Sequence, residues 1–360
     1  MRRRQRREQL KRRQAHRELA GRPPTMTQST FSPVKKGHIV PQVYQRSFAV
    51  NDQVAVHIDG RIDCVLMNIR DAATRPRFYR RTRPDGTEID DIEASLSRIE
   101  YAVGPVFDEL ERGLPLDFAR KSVLAQFIGV QVARSPAFFE QNTAIIDEVV
   151  GELDAPDFKS TALARFGGDV DAARRALRET YLNKTEQLTK MVTLSYRMAS
   201  VIGHMRWQIV RFNDPLLAYS DHPVVMWPLD VAAMPPFPVA RFKPVSAIEV
   251  RVPLSPDIAV LMTWADRDDA SQPVLGTPSQ AAELNAFTVS QAERQWMHRP
   301  SAEPTIATGR FDPLACQLDP TYNAVAAISS KRREAAEHYL RRTHTKRFLS
   351  KVEMPDRGFA

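Results

Sequence analysis

Two cysteines in 360 residues, Cys64 and Cys316, are too few for a disulfide framework, and their spacing is not that of a metal motif. Only 14 glycines are present, so a phosphate cradle built from glycines is not expected. The chain has no Walker-type loop, no G-x-G-x-x-G, no G-x-S-x-G elbow and no H-E-x-x-H, which removes the best-marked nucleotide, hydrolase and zinc-protease classes. No apolar run approaches the roughly 18 residues that a membrane-spanning helix needs. No apolar stretch follows the charged start, so nothing marks a secretory signal. A reduced, cytoplasmic compartment and no membrane association are the expectation.

Charge is abundant but unevenly placed. Residues 1–22 hold ten basic groups and two acidic ones, Glu8 and Glu18; subtracting these from the totals of 51 and 43 leaves 41 of each sign elsewhere. The net charge of +8 therefore belongs to an N-terminal arm, and the body is neutral. Three readings of the arm stand: a nucleic-acid contact, with the steep salt dependence that phosphate neutralisation brings; a solvated charge tract; or translation that begins at Met26. Any nucleic-acid role of the body must come from a local cleft.

Periodicity then divides the chain. Val54, Val56 and Ile58 alternate up to Asp59-Gly60, and Ile62, Cys64 and Leu66 alternate after it, a hairpin pattern. Arg77-Phe78-Tyr79 reads as a further extended segment. From Asp90, Ile92, Leu96, Ile99, Val103, Val106 and Leu110 recur at helical spacing. Asp117 can cap a second helix bearing Val123, Leu124, Phe127, Ile128 and Val132. Ser135-Pro136 ends that helix or starts a third, running from Pro136 to Val149, and a long one is expected from about Val170 to Ile202. Strands follow at 207–212, 216–219, 224–227, 248–252 and 258–264, with a proline-rich loop over 228–244. Helices near 278–297 and 320–342 close the chain. Segregated strands and helices predict an α+β fold: one mixed β-sheet from the N-terminal and C-terminal strand groups, interrupted by a helical section over 90–204. The expected organisation is an arm over 1–30, a single domain over 31–345 and a tail over 346–360.

His38-Ile39-Val40-Pro41-Gln42, followed by Tyr44 and Phe48, resembles the opening of an uncharacterised family, domain of unknown function 4238, whose hallmark is a His-x-x-Pro motif. Similar features follow in order: Phe78-Tyr79, the pairs Ile92-Glu93 and Ile99-Glu100, Trp207 leading to Ser220-Asp221-x-Pro223, the Pro253–Pro256 turn, and Asn285 in a late helix. The likeness covers about residues 36–300. Gln45 departs from it, since leucine is commoner there. The resemblance implies no activity, substrate or cofactor.

The candidate site residues are His38, Pro41, Glu100, Ser220, Asp221 and Asn285. An imidazole titrating near working pH can act as a base or metal ligand, and His38 is placed in that role, or else in a purely structural one. Asp221 at a strand end can hold a divalent ion such as Mg²⁺ or Mn²⁺, or merely cap a turn. His222 beside it is a weaker candidate. A restriction-nuclease pattern would read Asp221 with Glu249-Val250-Arg251, but Arg replaces the usual Lys and cannot give up a proton. Glu93 and Glu100 lie seven apart on one helix face, a solvated pair or an acid–base pair. The expected function is a metal-dependent phosphodiesterase or nuclease-like hydrolase with nucleic acid as partner. The alternative is a non-catalytic binding or regulatory protein whose His-x-x-Pro segment is structural.

Overall fold

The computed structural model describes residues 36–82, 85–136, 139–140, 143, 147, 169–228, 247–269, 272–309, 312–323 and 330–340. All lie in the compact unit Lys35–Ala360. The arm, the tail over 346–360, most of the helix expected over 136–149 and nearly all of the proline-rich loop fall outside the described residues.

The fold is α+β. A short strand β1 (Lys36–His38) pairs antiparallel with β4 (Thr74–Pro76) and leads into helix α1 (Gln42–Phe48), which Pro41 precedes in extended conformation. The predicted hairpin is present: β2 (Gln53–Ile58) pairs with β3 (Val65–Asn68). Gly60 takes a positive φ of 76° in its turn, where a side chain would be strained. The connection is longer than the alternation suggested, so Ile62 and Cys64 lie in the loop rather than on a strand. Arg77 to Tyr79 form a turn instead of a strand, with Arg77 itself at φ 50°. A small ladder, β5 (Arg81–Thr82) with β6 (Glu88–Ile89), follows.

The helical middle begins with α2 (Asp91–Glu111), which buries Ile92, Leu96, Val103, Val106, Phe107 and Leu110. Helix α3 (Phe118–Ala133) is capped by Asp117, whose side chain accepts from the Arg120 N–H. Instead of one long helix after Asp169 there are two, α4 (Val170–Leu182) and α5 (Lys184–His204). Asn183, extended at ψ 144°, ends the first and caps the second by accepting from the Glu186 N–H. An asparagine that can bond its own backbone competes with helix continuation, a preference that apolar spacing does not reveal. Helix α3 meets α5 backbone to backbone: a Cβ added at Gly129 would lie 2.5 Å from the Ser195 carbonyl oxygen and 2.6 Å from the Ala199 nitrogen.

The strands form two main sheets instead of one. Among the described residues, β7 (Arg206–Arg211), β9 (Val225–Pro228), β10 (Ala247–Ser255), β11 (Ile258–Thr263) and β12 (Val274–Leu275) make a sheet in the order β12-β7-β11-β10-β9. It is mixed, since β12 runs parallel to β7 while the other pairs are antiparallel. The second sheet, β3-β2-β13-β8, joins both ends of the chain: β8 is Ala218–Ser220 and β13 is Gln295–His298. The helix expected over 278–297 ends early, as α6 (Pro278–Ser290), and its last residues become β13. Four short strand residues after a capped helix leave too little period to register. A short helix α7 (Leu314–Leu318) and a helical run over 331–340 follow. The core runs from Val40, Tyr44 and Phe48 through Phe127 and Ile202 to β10 and β11. Tyr44 anchors α1 there, stacking on Phe127 at 5.9 Å and edge-on to Tyr219 at 5.4 Å. No described helix is long and apolar enough to cross a membrane.

Candidate functional site

His38 ends β1 at the junction with α2 and α3. Its ring Nε2 lies 3.2 Å from the Ile69 carbonyl oxygen, and its own carbonyl accepts from the Tyr79 hydroxyl at 3.1 Å and from Arg134. Arg134, just past the end of α3, is buried, and donates also to the Tyr79 oxygen at 2.9 Å and to Glu100 Oε1 at 3.1 Å. All three guanidinium nitrogens therefore have acceptors, and the group lies over the Tyr79 ring at 5.2 Å. Across the α2–α3 packing Glu100 fixes Arg134, and Arg134 fixes the backbone of His38. Gly37 is required alongside, because a Cβ there would sit 2.9 Å from the Tyr79 ring.

Titration in this corner follows burial. Burial holds the His38 imidazole below its ordinary value; the Glu100 charge opposes this and the Arg134 charge adds to it. Glu93, two turns before Glu100 on α2, is pushed up to about 7 by burial, with the nearby Arg134 charge working the other way. Burial likewise pushes the Tyr79 hydroxyl up to about 12. Glu93 is thus the carboxyl of this corner that can exchange a proton near neutral pH.

Asp221 follows β8 and is buried. Its Oδ1 accepts from the Glu293 N–H at 2.8 Å, and its Oδ2 from those of Arg294 and Gln295 at 2.9 and 3.2 Å. Burial pushes its carboxyl above the ordinary value although these three donors pull it down. Its backbone N–H donates to the Gln295 carbonyl, so Asp221 aligns the start of β13. Ser220 bonds within its own turn: its hydroxyl donates to the His222 carbonyl and accepts the His222 N–H. His222 is buried, and desolvation lowers it to about 4. Asn285 on α6 ties three strands of chain together, accepting from the Ala218 N–H and donating to the Leu216 and Thr305 carbonyls at 2.8 and 3.0 Å.

His38 and Glu100 are therefore joined through Arg134, while Asp221, Ser220 and Asn285 belong to the β8–α6–β13 corner. Arg75 is a link between the two: its backbone pairs with Gly37, its guanidinium lies 3.9 Å from Glu293, and its charge acts on Asp221. Among the described residues, no group of three or more metal-ligating side chains includes His38 or Asp221.

The nuclease-like pattern resolves differently. Both carboxylate oxygens of Glu249, fully buried on β10, accept N–H groups at the start of α7, from Leu314 and Ala315 at 3.3 and 2.6 Å. Arg251 bonds Glu249 and lies about equally over the Trp227 and Phe287 rings, at 5.0 and 5.1 Å. Gln45, the position at odds with the resemblance, is buried and used: its amide donates to the Val40 and Ala72 carbonyls and accepts from the Tyr219 hydroxyl. Sequence reasoning missed Arg134. The available signal was one cation seven residues after Phe127, directly after the apolar stripe of α3.

No curated protein and no solved structure matches the chain. One family model matches, over residues 36–302, the span that holds His38, Tyr79, Glu100, Arg134, Asp221 and Asn285. The chain belongs to the family described as protein of unknown function DUF4238.

Proposed function

We propose that the chain is a non-catalytic binding or regulatory protein in which the His38-x-x-Pro41 segment is a structural lock. The observation that supports this is the set of partners around Asp221, the side chain a divalent ion would need. Both of its oxygens are committed to three backbone N–H groups, and freeing them would leave buried donors unsatisfied. His38 fits the same reading, since its ring bonds a backbone carbonyl and its own carbonyl is gripped by Tyr79 and Arg134. A cytoplasmic location goes with the proposal, given two free thiols, and nucleic acid is retained as a candidate partner.

A metal-dependent phosphodiesterase acting with Mg²⁺ or Mn²⁺ is the second reading. Glu93 favours it, as a carboxyl that titrates at about 7 beside Arg134. Gln131 adds to it: buried one turn before Arg134, it has neither amide atom partnered, a polar group that a ligand could satisfy.

The test replaces His38 and Asp221 by alanine in the full chain. Melting temperature and turnover of single-stranded DNA and of a bis-nitrophenyl phosphodiester with Mg²⁺ or Mn²⁺ are then measured. The structural reading expects both variants to melt well below the parent, and the parent to show no turnover. Parental turnover that is lost in variants melting like the parent would overturn it in favour of the hydrolase.

A further inference from the structure

The strand β13 brings together three side chains that lie far apart in sequence. Trp296 pairs with His57 of β2, and His298 pairs with Ala55, so His57, Trp296 and His298 share one face of the second sheet. Cys64 precedes Val65, the partner of Val56, and so stands beside His57 at the mouth of the hairpin. One ligand atom from each of His57, Cys64 and His298 lies within 4.8 Å of the other two.

The ring geometry sharpens this. The Nε2 atoms of His57 and His298 are 3.2 Å apart. Two imidazole nitrogens at about 2.0–2.1 Å from a tetrahedral ion are separated by about 3.3 Å, so this spacing is a tetrahedral edge. The Nδ1 of His298 faces two carbonyl oxygens, of Arg299 at 2.9 Å and Ala302 at 3.0 Å. Since carbonyls only accept, Nδ1 carries the hydrogen and the lone pair stands on Nε2, which faces His57. Backbone carbonyls that hold the far nitrogen of a histidine are the usual outer support of a metal ligand. The His57 ring is fixed in turn by parallel stacking on Trp296, 3.7 Å between centroids and 2° between planes. A hydrogen bond between the two imidazoles accounts for the histidine contact alone; the Cys64 thiol, which also meets the Val56 backbone, completes the triangle.

We propose that His57, Cys64 and His298 bind one Zn²⁺ per chain. Two imidazole nitrogens and a thiolate suit this borderline cation, and three protein ligands leave the fourth position open. Cys64 is exposed and His57 half-buried, so that position faces solvent, and the Glu303 charge acts on both residues. On binding, the Cys64 S–H bond breaks, its proton leaves to solvent, and the sulfur electron pair forms the Zn–S bond. The site ties the β2–β3 hairpin to β13, and it does not depend on the function proposed above.

The experiment uses the full chain, reduced and stripped of metal by chelator, and titrates it with Zn²⁺ and with Co²⁺ as a spectroscopic probe. Cys64→Ser, His298→Gln and the control Cys316→Ser are compared, with circular dichroism reporting the fold. The parent and the Cys316 control are expected to take one equivalent, and the Co²⁺ form to show a thiolate charge-transfer band with intense tetrahedral visible bands. Cys64→Ser abolishes that band and weakens Zn²⁺ binding by more than about 100-fold, since loss of outer-shell partners alone costs about 10- to 100-fold. Should His298→Gln disturb the fold, Cys64→Ser, in an exposed loop, decides alone. Equal Zn²⁺ binding by parent and Cys64→Ser, or a Co²⁺ complex with no thiolate band, would overturn the proposal.

Discussion

Two corners of the molecule hold histidine among titratable neighbours, and they are built in opposite ways. At His38 the groups already have partners: Arg134 uses all three nitrogens, on the Tyr79 and Glu100 side chains and the His38 carbonyl, and the His38 ring faces the Ile69 carbonyl. At His57 the side chains face one another: its Nε2 lies 3.2 Å from that of His298, and one ligand atom from each of His57, Cys64 and His298 lies within 4.8 Å of the other two. Hydrogen-bond accounting, more than residue identity, separates a histidine that holds a fold from one able to hold a ligand. Asp221 falls on the His38 side of this division, because both of its carboxylate oxygens accept backbone N–H groups.

The largest expected effect is at Arg134. Replacement by Met leaves the Tyr79 oxygen without its donor, the His38 carbonyl with Tyr79 alone and Glu100 without its partner, and should cost about 3–5 kcal/mol in denaturant unfolding. A loss below about 1 kcal/mol would break the view of this corner as a lock. Asp221→Ala comes next. It strands three buried backbone donors, at about 3 kcal/mol in the same measurement. Gly129→Ala probes the helical floor under the lock. The added methyl would meet the backbone of α5, so a cost of about 1–3 kcal/mol is expected from overpacking.

Glu93 sharpens the comparison through pH. Its folded value of about 7 lies above its ordinary 4.5, so folding favours the protonated form. Against the opposite slope of His222, whose lowered value makes stability rise from about pH 4 to 6.5, the Glu93 contribution should therefore fall as pH rises from about 4.5 to 7 and stay level above that. Glu93→Gln removes this slope, so the variant should melt higher than the parent at pH 8 and equally at pH 4. A variant that melts lower at pH 8 would mean that the Glu93 charge is needed in the fold. The smallest effect belongs to the other corner. Without metal, Cys64→Ser should change stability by no more than about 0.5 kcal/mol, as an exposed loop residue does. A large loss there would show that the thiol packs instead of binding.

How much was legible beforehand follows from the range of each interaction. Helix α2 was readable because its apolar residues repeat every three or four positions, and the α3 cap because Asp117 bonds a backbone N–H only three residues away. The hairpin was legible from Asp59-Gly60, but its length was not, and Cys64 was placed on a strand for that reason. The end of α6 and the start of β13 were hidden because Asp221, 72 residues earlier, supplies the acceptors that organise Glu293 to Gln295. Of the candidate site, Glu100 and His38 could be named, but Arg134, which joins them, could not.

Local chemistry in the sequence by itself therefore determined helices α2 and α3, the Asp59-Gly60 turn, the α+β class, the neutrality of the body and the family. Only the tertiary structure decided which side chains meet: it split the strands into two sheets, closed Asp221 around backbone, and set His298 beside His57 across 241 positions of chain. The physical reason is that periodicity and capping act over a few residues, whereas a site is fixed by strand register and burial. Neither of these leaves a spacing that one chain can display.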